Sequence, residues 1–150
     1  MRLFKKRKGF TLVELLSVVA IIGILASLGQ VAYYSYVEKT NNVLTQTEMQ
    51  GIQDKIEVYV IVHGSLPLDL TFLGNPLDQW GNPYQYLNFA TVNGNGQKRK
   101  DRNLVPINTD YDLFSMGPDG VSVSPLTAPQ SHDDIIRAND GGYLGLASKY

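Results

Sequence analysis

The chain contains no cysteine among its 150 residues. Disulfides, thiolate metal sites and cysteine nucleophiles are therefore excluded, although this absence does not fix the redox compartment. We also find no nucleophile and base set, no phosphate-binding loop and no paired carboxylates in the pattern of a catalytic cleft. A chain of this length suits one domain with a modest hydrophobic core. The sequence therefore predicts a protein that is not an enzyme.

Positive charge is scarce after the first nine residues. Five of the 13 basic residues stand there, whereas the rest of the chain carries eight basic against fourteen acidic side chains, a net charge of −6. Nucleic acid is not expected as a partner, because phosphate binding needs concentrated lysine and arginine. A small basic cluster beside a glycine-rich turn is interpreted as an exposed hairpin tip, with contact to DNA, lipid head groups or an acidic neighbour as the alternative. Its members are Lys98, Arg99, Lys100 and Arg102.

A long apolar segment follows the basic start, and Glu14 is its only carboxylate from residue 10 to residue 37. Such a length crosses a membrane as a helix. The preceding basic block, which has no acidic residue, predicts a cytoplasmic start and an outside body. A secretory signal peptide and an uncut signal anchor begin in a similar way. The apolar run is too long for the first, and neither explains Glu14.

Glu14 needs a positive partner. A carboxylate in an apolar span costs about 2.5 to 3.5 kcal/mol at mid-bilayer, and less near its edge, unless it is paired. The nearby sequence offers Lys8. A newly created amino group close to Glu14 would also serve.

Residues 8–14, Lys-Gly-Phe-Thr-Leu-Val-Glu, resemble the type IV prepilin leader junction. The resemblance implies that the prepilin peptidase, a membrane aspartyl peptidase, cuts after Gly9 and methylates the amine of Phe10. Glu14, the fifth mature residue, then attracts the terminal amine of a neighbouring subunit that joins the filament. Pairing in a low dielectric also penalises misregistered subunits, since both charges would be left unpaired.

The pattern after residue 37 is amphipathic and predicts that the helix continues to about His63, where Gly64 and Pro67 stop it. Residues 65–83 are loop-like. Strands are predicted at 84–89 and 111–116, with a short edge strand at 104–107 and a turn at 93–96. The expected fold is α+β, a long N-terminal helix whose amphipathic half packs on a small antiparallel sheet. Its parts are a leader at 1–9, a transmembrane and assembly helix at 10–36 and a globular domain at 37–150.

Three further segments, residues 78–86, 111–120 and 133–135, are similar to the major pseudopilin of type II secretion systems. The first predicts a turn with Trp80 in the core and Pro83 at the start of a strand. The resemblance implies an inner-membrane protein with a periplasmic domain. Its partners would be copies of itself, minor pseudopilins and an inner-membrane assembly platform. The filament would drive protein export across the outer membrane.

The same resemblance implies a calcium ion that ties the C-terminal loop to the sheet. Asp119, Asp133 and Asp134 would supply carboxylates and Met116 a carbonyl oxygen, a donor set that suits calcium better than zinc. Such a metal clip would do the loop-closing work of a disulfide. Spacing alone favours a tight turn at 119–120 and a helix cap or solvated pair at 133–134. His132 is expected to be solvated rather than a metal ligand.

Two other functions stay open from the sequence. One is a surface type IV pilus subunit for adhesion, motility or DNA uptake, although many such pilins close their C-terminal loop with a disulfide that this chain cannot form. The other is a membrane-anchored binding protein or enzyme that acts as a monomer. A Gly9 variant distinguishes this anchored monomer from a filament subunit. Loss of processing should abolish filaments yet leave an anchored monomer functional.

Overall fold

A computed structural model describes residues 9–150, and its dominant element is the helix α1, Leu12–His63. The helix ends where Gly64 adopts a left-handed backbone with φ +74° and donates its N–H to the carbonyl of Val60 at 2.8 Å. This end confirms the predicted stop at His63. Residues 1–8 of the predicted leader lie outside the described residues.

The chain forms two compact units, one ending at Glu38 and the other running from Lys39 to Tyr150. In the first unit every described side chain from residue 9 to residue 36 is exposed. The helix is long and apolar enough to cross a membrane. All residues with buried side chains in the described chain lie in the second unit. The predicted boundaries at 9, 36 and 37 stay predictions.

In the second unit, α1 presents one face to the core. Its buried residues recur three or four positions apart, the spacing that brings side chains onto one side of a helix. They are Thr45, Met49, Ile52, Gln53 and Ile56. The amphipathic pattern of the sequence therefore identifies the face of α1 that packs on the core.

The sheet has four antiparallel strands in chain order: β1 Gln85–Asn88, β2 Tyr111–Ser115, β3 Ile135–Ala138 and β4 Tyr143–Leu146. Gln85 pairs with Phe114, and Ser115 pairs with Ile135. The predicted strands at 84–89 and 111–116 are confirmed as β1 and β2. These four strands and α1 confirm the α+β, pilin-like fold.

The predicted edge strand at 104–107 is wrong. Leu104 bonds back to Asp101 in a local bridge, and the N–H of Ile107 donates to the carbonyl of Arg99. The backbone bonds of Leu104 and Ile107 thus go to Asp101, to Arg99 and, from the N–H of Asn139 at 3.1 Å, to a residue just after β3, and none of them joins a strand of the sheet. The positions of β3 and β4 were not anticipated from the sequence.

Successive residues of β3 belong to two different hydrophobic clusters, because neighbouring side chains in a strand point to opposite faces of the sheet. Ile135 lies in the cluster that α1 covers, together with Tyr84, Tyr111 and Leu113. Ile136 lies in the second cluster, which the loops before β2 and β3 cover. The buried members of that second cluster are Ile107, Leu126, Ile136, Ala138 and Ala147.

Trp80 is half-buried and packs against the α1-side cluster. It stands in a turn organised by Asp78, whose carboxylate accepts the backbone N–H groups of Trp80 at 3.0 Å and Asn82 at 2.9 Å. Pro83 forms an isolated bridge with Leu77 just before β1. Trp80 therefore packs on the core, as predicted, but at its edge.

Candidate functional site

The start of α1 is closed by a reciprocal pair of side chains. Thr11 donates its backbone N–H and its hydroxyl to Glu14 Oε2, both at 2.8 Å. The N–H of Glu14 donates in return to Thr11 Oγ1 at 3.2 Å. This is a capping box, which satisfies N–H groups that the helix itself leaves unpaired. Glu14 therefore caps its own helix with one carboxylate oxygen.

The other oxygen, Glu14 Oε1, accepts no hydrogen bond from the residues that the structure describes. Phe10 is 85% exposed, and a Cβ added at Gly9 would meet nothing within 4 Å. Phe10 and Glu14 line a shallow groove with apolar side chains of the first turns of α1. Gly9, Phe10 and Glu14 thus lie together on an open surface, and their roles in processing and assembly stay predictions.

Two of the predicted calcium ligands lie close together in the loop between β2 and β3. The N–H of Asp119 approaches Asp133 Oδ2 at 3.4 Å, and Asp119 Oδ1 accepts the N–H of Val121 at 2.8 Å. The turn is tight because Gly117, at φ +64°, packs directly on the backbone of Asp133. Met116 follows β2 immediately and leads into this turn.

Asp134 is held elsewhere. Its side chain is buried, and Oδ2 accepts hydrogen bonds from Arg99 Nη2 and, at 2.6 Å, from Ser122 Oγ. Across residues 9–150 no three acidic or histidine side chains are grouped as a metal site. The predicted ligand set is therefore divided, with Asp119 and Asp133 on one side and Asp134 on the other. Calcium stays a prediction, as do its four predicted ligands.

Arg99 corrects the interpretation of the basic cluster as an exposed tip, because its side chain is only 3% exposed. Nη1 donates to Ser122 Oγ and to the carbonyl of Val123, both at 2.6 Å, and the guanidinium lies 3.9 Å above the ring of Phe114. The loop carrying Arg99 packs against the sheet face opposite α1, which draws this side chain inward. Lys98, Lys100 and Arg102 are half-buried or exposed.

Burial and charge pairing shift the pKa values of Arg99 and Asp134 in opposite directions. Burial raises the pKa of the Asp134 carboxyl, while Arg99 and Ser122 oppose the rise. Burial lowers the pKa of the Arg99 guanidinium, while Asp134 opposes the fall. Burial also raises the pKa of Asp112, whose carboxylate accepts the backbone N–H of Arg99 at 2.7 Å. Each charge is therefore stabilised in the interior chiefly by its partner.

A second buried arginine joins α1 to the sheet. Arg137 on β3 pairs with Asp110 at 2.8 Å, donates through Nε to Gln53 of α1 at 3.2 Å, and lies 3.9 Å above the ring of Tyr111. This contact fixes the helix against β2 and β3. It belongs to the packing of the fold rather than to a binding site.

His132 is exposed, and its Nε2 lies 3.3 Å from the carbonyl of Thr127. This placement agrees with the predicted solvated side chain. Arg99 is the residue of this region that sequence reasoning misread. Its only signal was membership of a basic cluster, and local charge spacing does not distinguish the one arginine that turns inward.

Comparison with known proteins adds to this geometry. The prokaryotic N-terminal methylation motif matches residues 4–29. Type II secretion system core protein G of Pseudomonas aeruginosa is 27% identical over 139 residues, which cover 77% of this chain and 87% of that protein. The same protein of Klebsiella pneumoniae is 25% identical over 154 residues, which cover 87% of this chain and 94% of that protein. The chain is a pilin-like homologue of core protein G.

This core protein G homologue also resembles pilins over a shorter stretch. Type IV major pilin protein PilE of Neisseria gonorrhoeae is 37% identical over 68 residues, 45% of this chain and 41% of the pilin. No solved structure matches the homologue. These relatives are named as a secretion-system core protein and a pilin, and neither name is that of an enzyme.

Proposed function

We propose that the chain is a structural subunit of a type II secretion pseudopilus, which polymerises to drive protein export across the outer membrane. The observation that carries this proposal is similarity to core protein G over 94% of the Klebsiella protein, combined with the methylation motif at residues 4–29. The subunit itself catalyses nothing, and a cytoplasmic ATPase supplies the energy.

The proposed processing site is the bond between Gly9 and Phe10. Both residues precede α1, which begins at Leu12, and both are exposed. The prepilin peptidase can therefore reach the bond without unwinding the helix. Cleavage leaves Phe10 as the N-terminal residue, whose amine the same peptidase methylates.

The proposed assembly contact is an ion pair between Glu14 of one subunit and the terminal amine of the next. Oε2 already caps the subunit's own helix, whereas Oε1 accepts no bond from the described chain. A cation that arrives from outside the subunit therefore finds one oxygen available without disturbing the cap. In an apolar setting this pair is strong, because little water screens it.

The proposed location is the inner membrane, with residues 37–150 in the periplasm. The basic block at residues 1–8 agrees with a cytoplasmic start. The exposed apolar surface of residues 10–36 would face lipid before assembly and other subunits afterwards. Its small residues, which include Ala20 and Gly23, permit close helix packing in both settings.

The proposed partners are copies of this chain, the prepilin peptidase, minor pseudopilins and the inner-membrane assembly platform. A surface type IV pilus subunit is the second candidate, and the match to PilE favours it over less than half of the chain. Deletion of the gene decides between the two. We expect loss of exoprotein release with intact surface motility, and the reverse result would support the pilus.

The assembly contact is tested by separating charge from capping. Glu14→Gln keeps an oxygen that can accept from Thr11 but removes the negative charge, whereas Thr11→Val keeps the charge and removes the hydroxyl from the cap. We expect mass spectrometry to show both variants starting at N-methylated Phe10. Only Glu14→Gln should fail to form filaments. Normal assembly of Glu14→Gln, or a mature start at another residue, would contradict the proposal.

A further inference from the structure

The connection between β2 and β3 is long and has little regular structure of its own. It runs from residue 116 to residue 134 and contains only one short 3-10 turn, Pro129–Ser131. Loops of this length that carry no element of their own need contacts elsewhere to be ordered. The chain has no cysteine with which to close it.

Arg99 touches each part of the chain that such a closure has to join. Its Nη2 meets Asp134 at the entry to β3, its Nη1 meets Ser122 and Val123 in the middle of the connection, and its plane stacks on Phe114 of β2. The adjoining backbone extends this contact, since the N–H of Lys100 donates to the carbonyl of Ser124 at 3.1 Å. One side chain thus links its own loop to the β2–β3 connection and to strand β2.

The chemistry of this contact is that of a bound cation. A guanidinium offers several fixed N–H donors, so it can serve a carboxylate, a hydroxyl and a carbonyl at once. The hydroxyl of Ser122 also donates to Asp134 Oδ2. Arg99 and Ser122 both bond to Asp134 Oδ2, whereas the buried Oδ1 accepts no hydrogen bond from the described residues. A calcium ion at Oδ1 would therefore share one carboxylate with a guanidinium already bound to it, and two cations on one carboxylate repel each other. The remaining carboxylates, Asp119 and Asp133, fall short of the six to eight oxygens that calcium takes unless many carbonyls or waters join them.

We propose that Arg99 is the built-in cation that closes the C-terminal loop onto the sheet, in place of a metal ion. The inference concerns the stability of the globular unit and does not depend on which filament the chain enters. It also assigns different roles to the neighbouring acids. Asp134 is the partner of Arg99, whereas Asp119 and Asp133 shape a turn.

The first test compares thermal unfolding of the full chain in detergent with excess calcium chloride and with EDTA, followed by Trp80 fluorescence and near-UV circular dichroism. We expect the same melting temperature in both, and the same lack of response in Asp119→Asn. A wild-type melting temperature that EDTA lowers, with the response lost in Asp119→Asn, would overturn the proposal in favour of calcium.

The second test changes the arginine. Arg99→Gln should lower the melting temperature by roughly 10 °C, because it leaves Asp134 buried without its cation. Arg102→Gln is the matched control, since that side chain is exposed three positions away, and it should melt as wild type. Equal melting of Arg99→Gln and Arg102→Gln would refute the assignment.

A double-mutant cycle keeps the idea testable if Arg99→Gln does not fold. Arg99→Met combined with Asp134→Leu replaces both charges with apolar groups, and such a swap often preserves a fold that loss of one partner destroys. We expect the double variant to fold and to melt above Asp134→Leu alone. A double variant that melts at or below the temperature of Asp134→Leu alone would show that the two residues act independently, which would contradict the proposed pairing of Arg99 with Asp134.

Discussion

Replacing Gly117 by alanine is the sharpest test of how the C-terminal turn is built. Gly117 has φ +64°, a left-handed backbone that alanine adopts at a cost of about 1 to 2 kcal/mol. The added Cβ would also lie 2.5 Å from the backbone oxygen of Asp133 and 2.9 Å from its Oδ2. Since a backbone oxygen cannot rotate away, the clash costs roughly 1 to 3 kcal/mol more.

Gly74→Ala separates these two costs. Gly74 has nearly the same backbone, φ +77°, but a Cβ there meets nothing within 4 Å. It should therefore lose only the left-handed cost of about 1 to 2 kcal/mol. For a unit of this size, each kcal/mol corresponds to about 4 °C in melting temperature. Gly117→Ala should accordingly melt roughly 4 to 12 °C below Gly74→Ala.

The assay is thermal unfolding of both variants as full chains in detergent, followed by Trp80 fluorescence, because Trp80 packs on the core of the globular unit. Neither substitution touches the side chain of Trp80, so wild-type and variant signals are comparable. Equal melting temperatures for the two variants would refute the close approach of Gly117 to Asp133.

Two further outcomes test the core. Ile56 of α1 is fully buried, so Ile56→Ala should lower the free energy of unfolding by about 2 to 5 kcal/mol. Ile61→Ala, at an 82% exposed position of the same helix, should change it by less than about 0.5 kcal/mol. Equal urea midpoints for the two variants would contradict the assignment of the buried face of α1. Burial raises the pKa of Tyr111 from 10.0 to about 12. The stabilisation from its neutral form is therefore complete below pH 10 and is lost as the pH rises through 12, a change of about 3 kcal/mol. The Tyr111 hydroxyl has no hydrogen-bond partner in the described structure, so Tyr111→Phe should leave the free energy of unfolding at pH 7 nearly unchanged. The variant should unfold at a higher pH than wild type. An unchanged midpoint of alkaline unfolding would show that Tyr111 does not cause the loss of stability at high pH.

The parts of the fold that the sequence predicted correctly depend on local chemistry. Gly64 ends α1 through its own backbone, and the alternation around β1 and β2 reflects faces with different surroundings. β3 escaped prediction because both of its faces are covered, so Ile135 and Ile136 stand side by side without alternation. The strand expected at 104–107 has the right composition, but no neighbouring strand is placed to receive its hydrogen bonds.

The residues of the candidate site also differ in whether the sequence reveals them. Glu14 is conspicuous in the sequence because it is the only carboxylate in an apolar segment from residue 10 to residue 37, so its need for a partner is visible without coordinates. Arg99 is inconspicuous because it stands among other basic residues, and only the packing of its loop on β2 turns it inward. A charge can therefore be assigned from sequence when its surroundings along the chain are apolar. When its surroundings are apolar only in three dimensions, the tertiary structure is needed.

Glu14 and Asp134 pose one electrostatic problem, an acid in an apolar setting, and the chain solves it in two ways. Asp134 finds its cation inside the subunit, so that pair forms whenever the globular unit folds and carries no information about neighbours. Glu14 receives only neutral hydrogen bonds from Thr11, so its charge is not compensated within the described chain. A charge left uncompensated in an apolar helix favours association with any copy that brings an amine to it. An acid whose cation lies within the globular unit, and an acid in the helix whose charge has no cation in the described chain, are therefore the properties expected of a subunit that folds alone and is stabilised further by joining a filament.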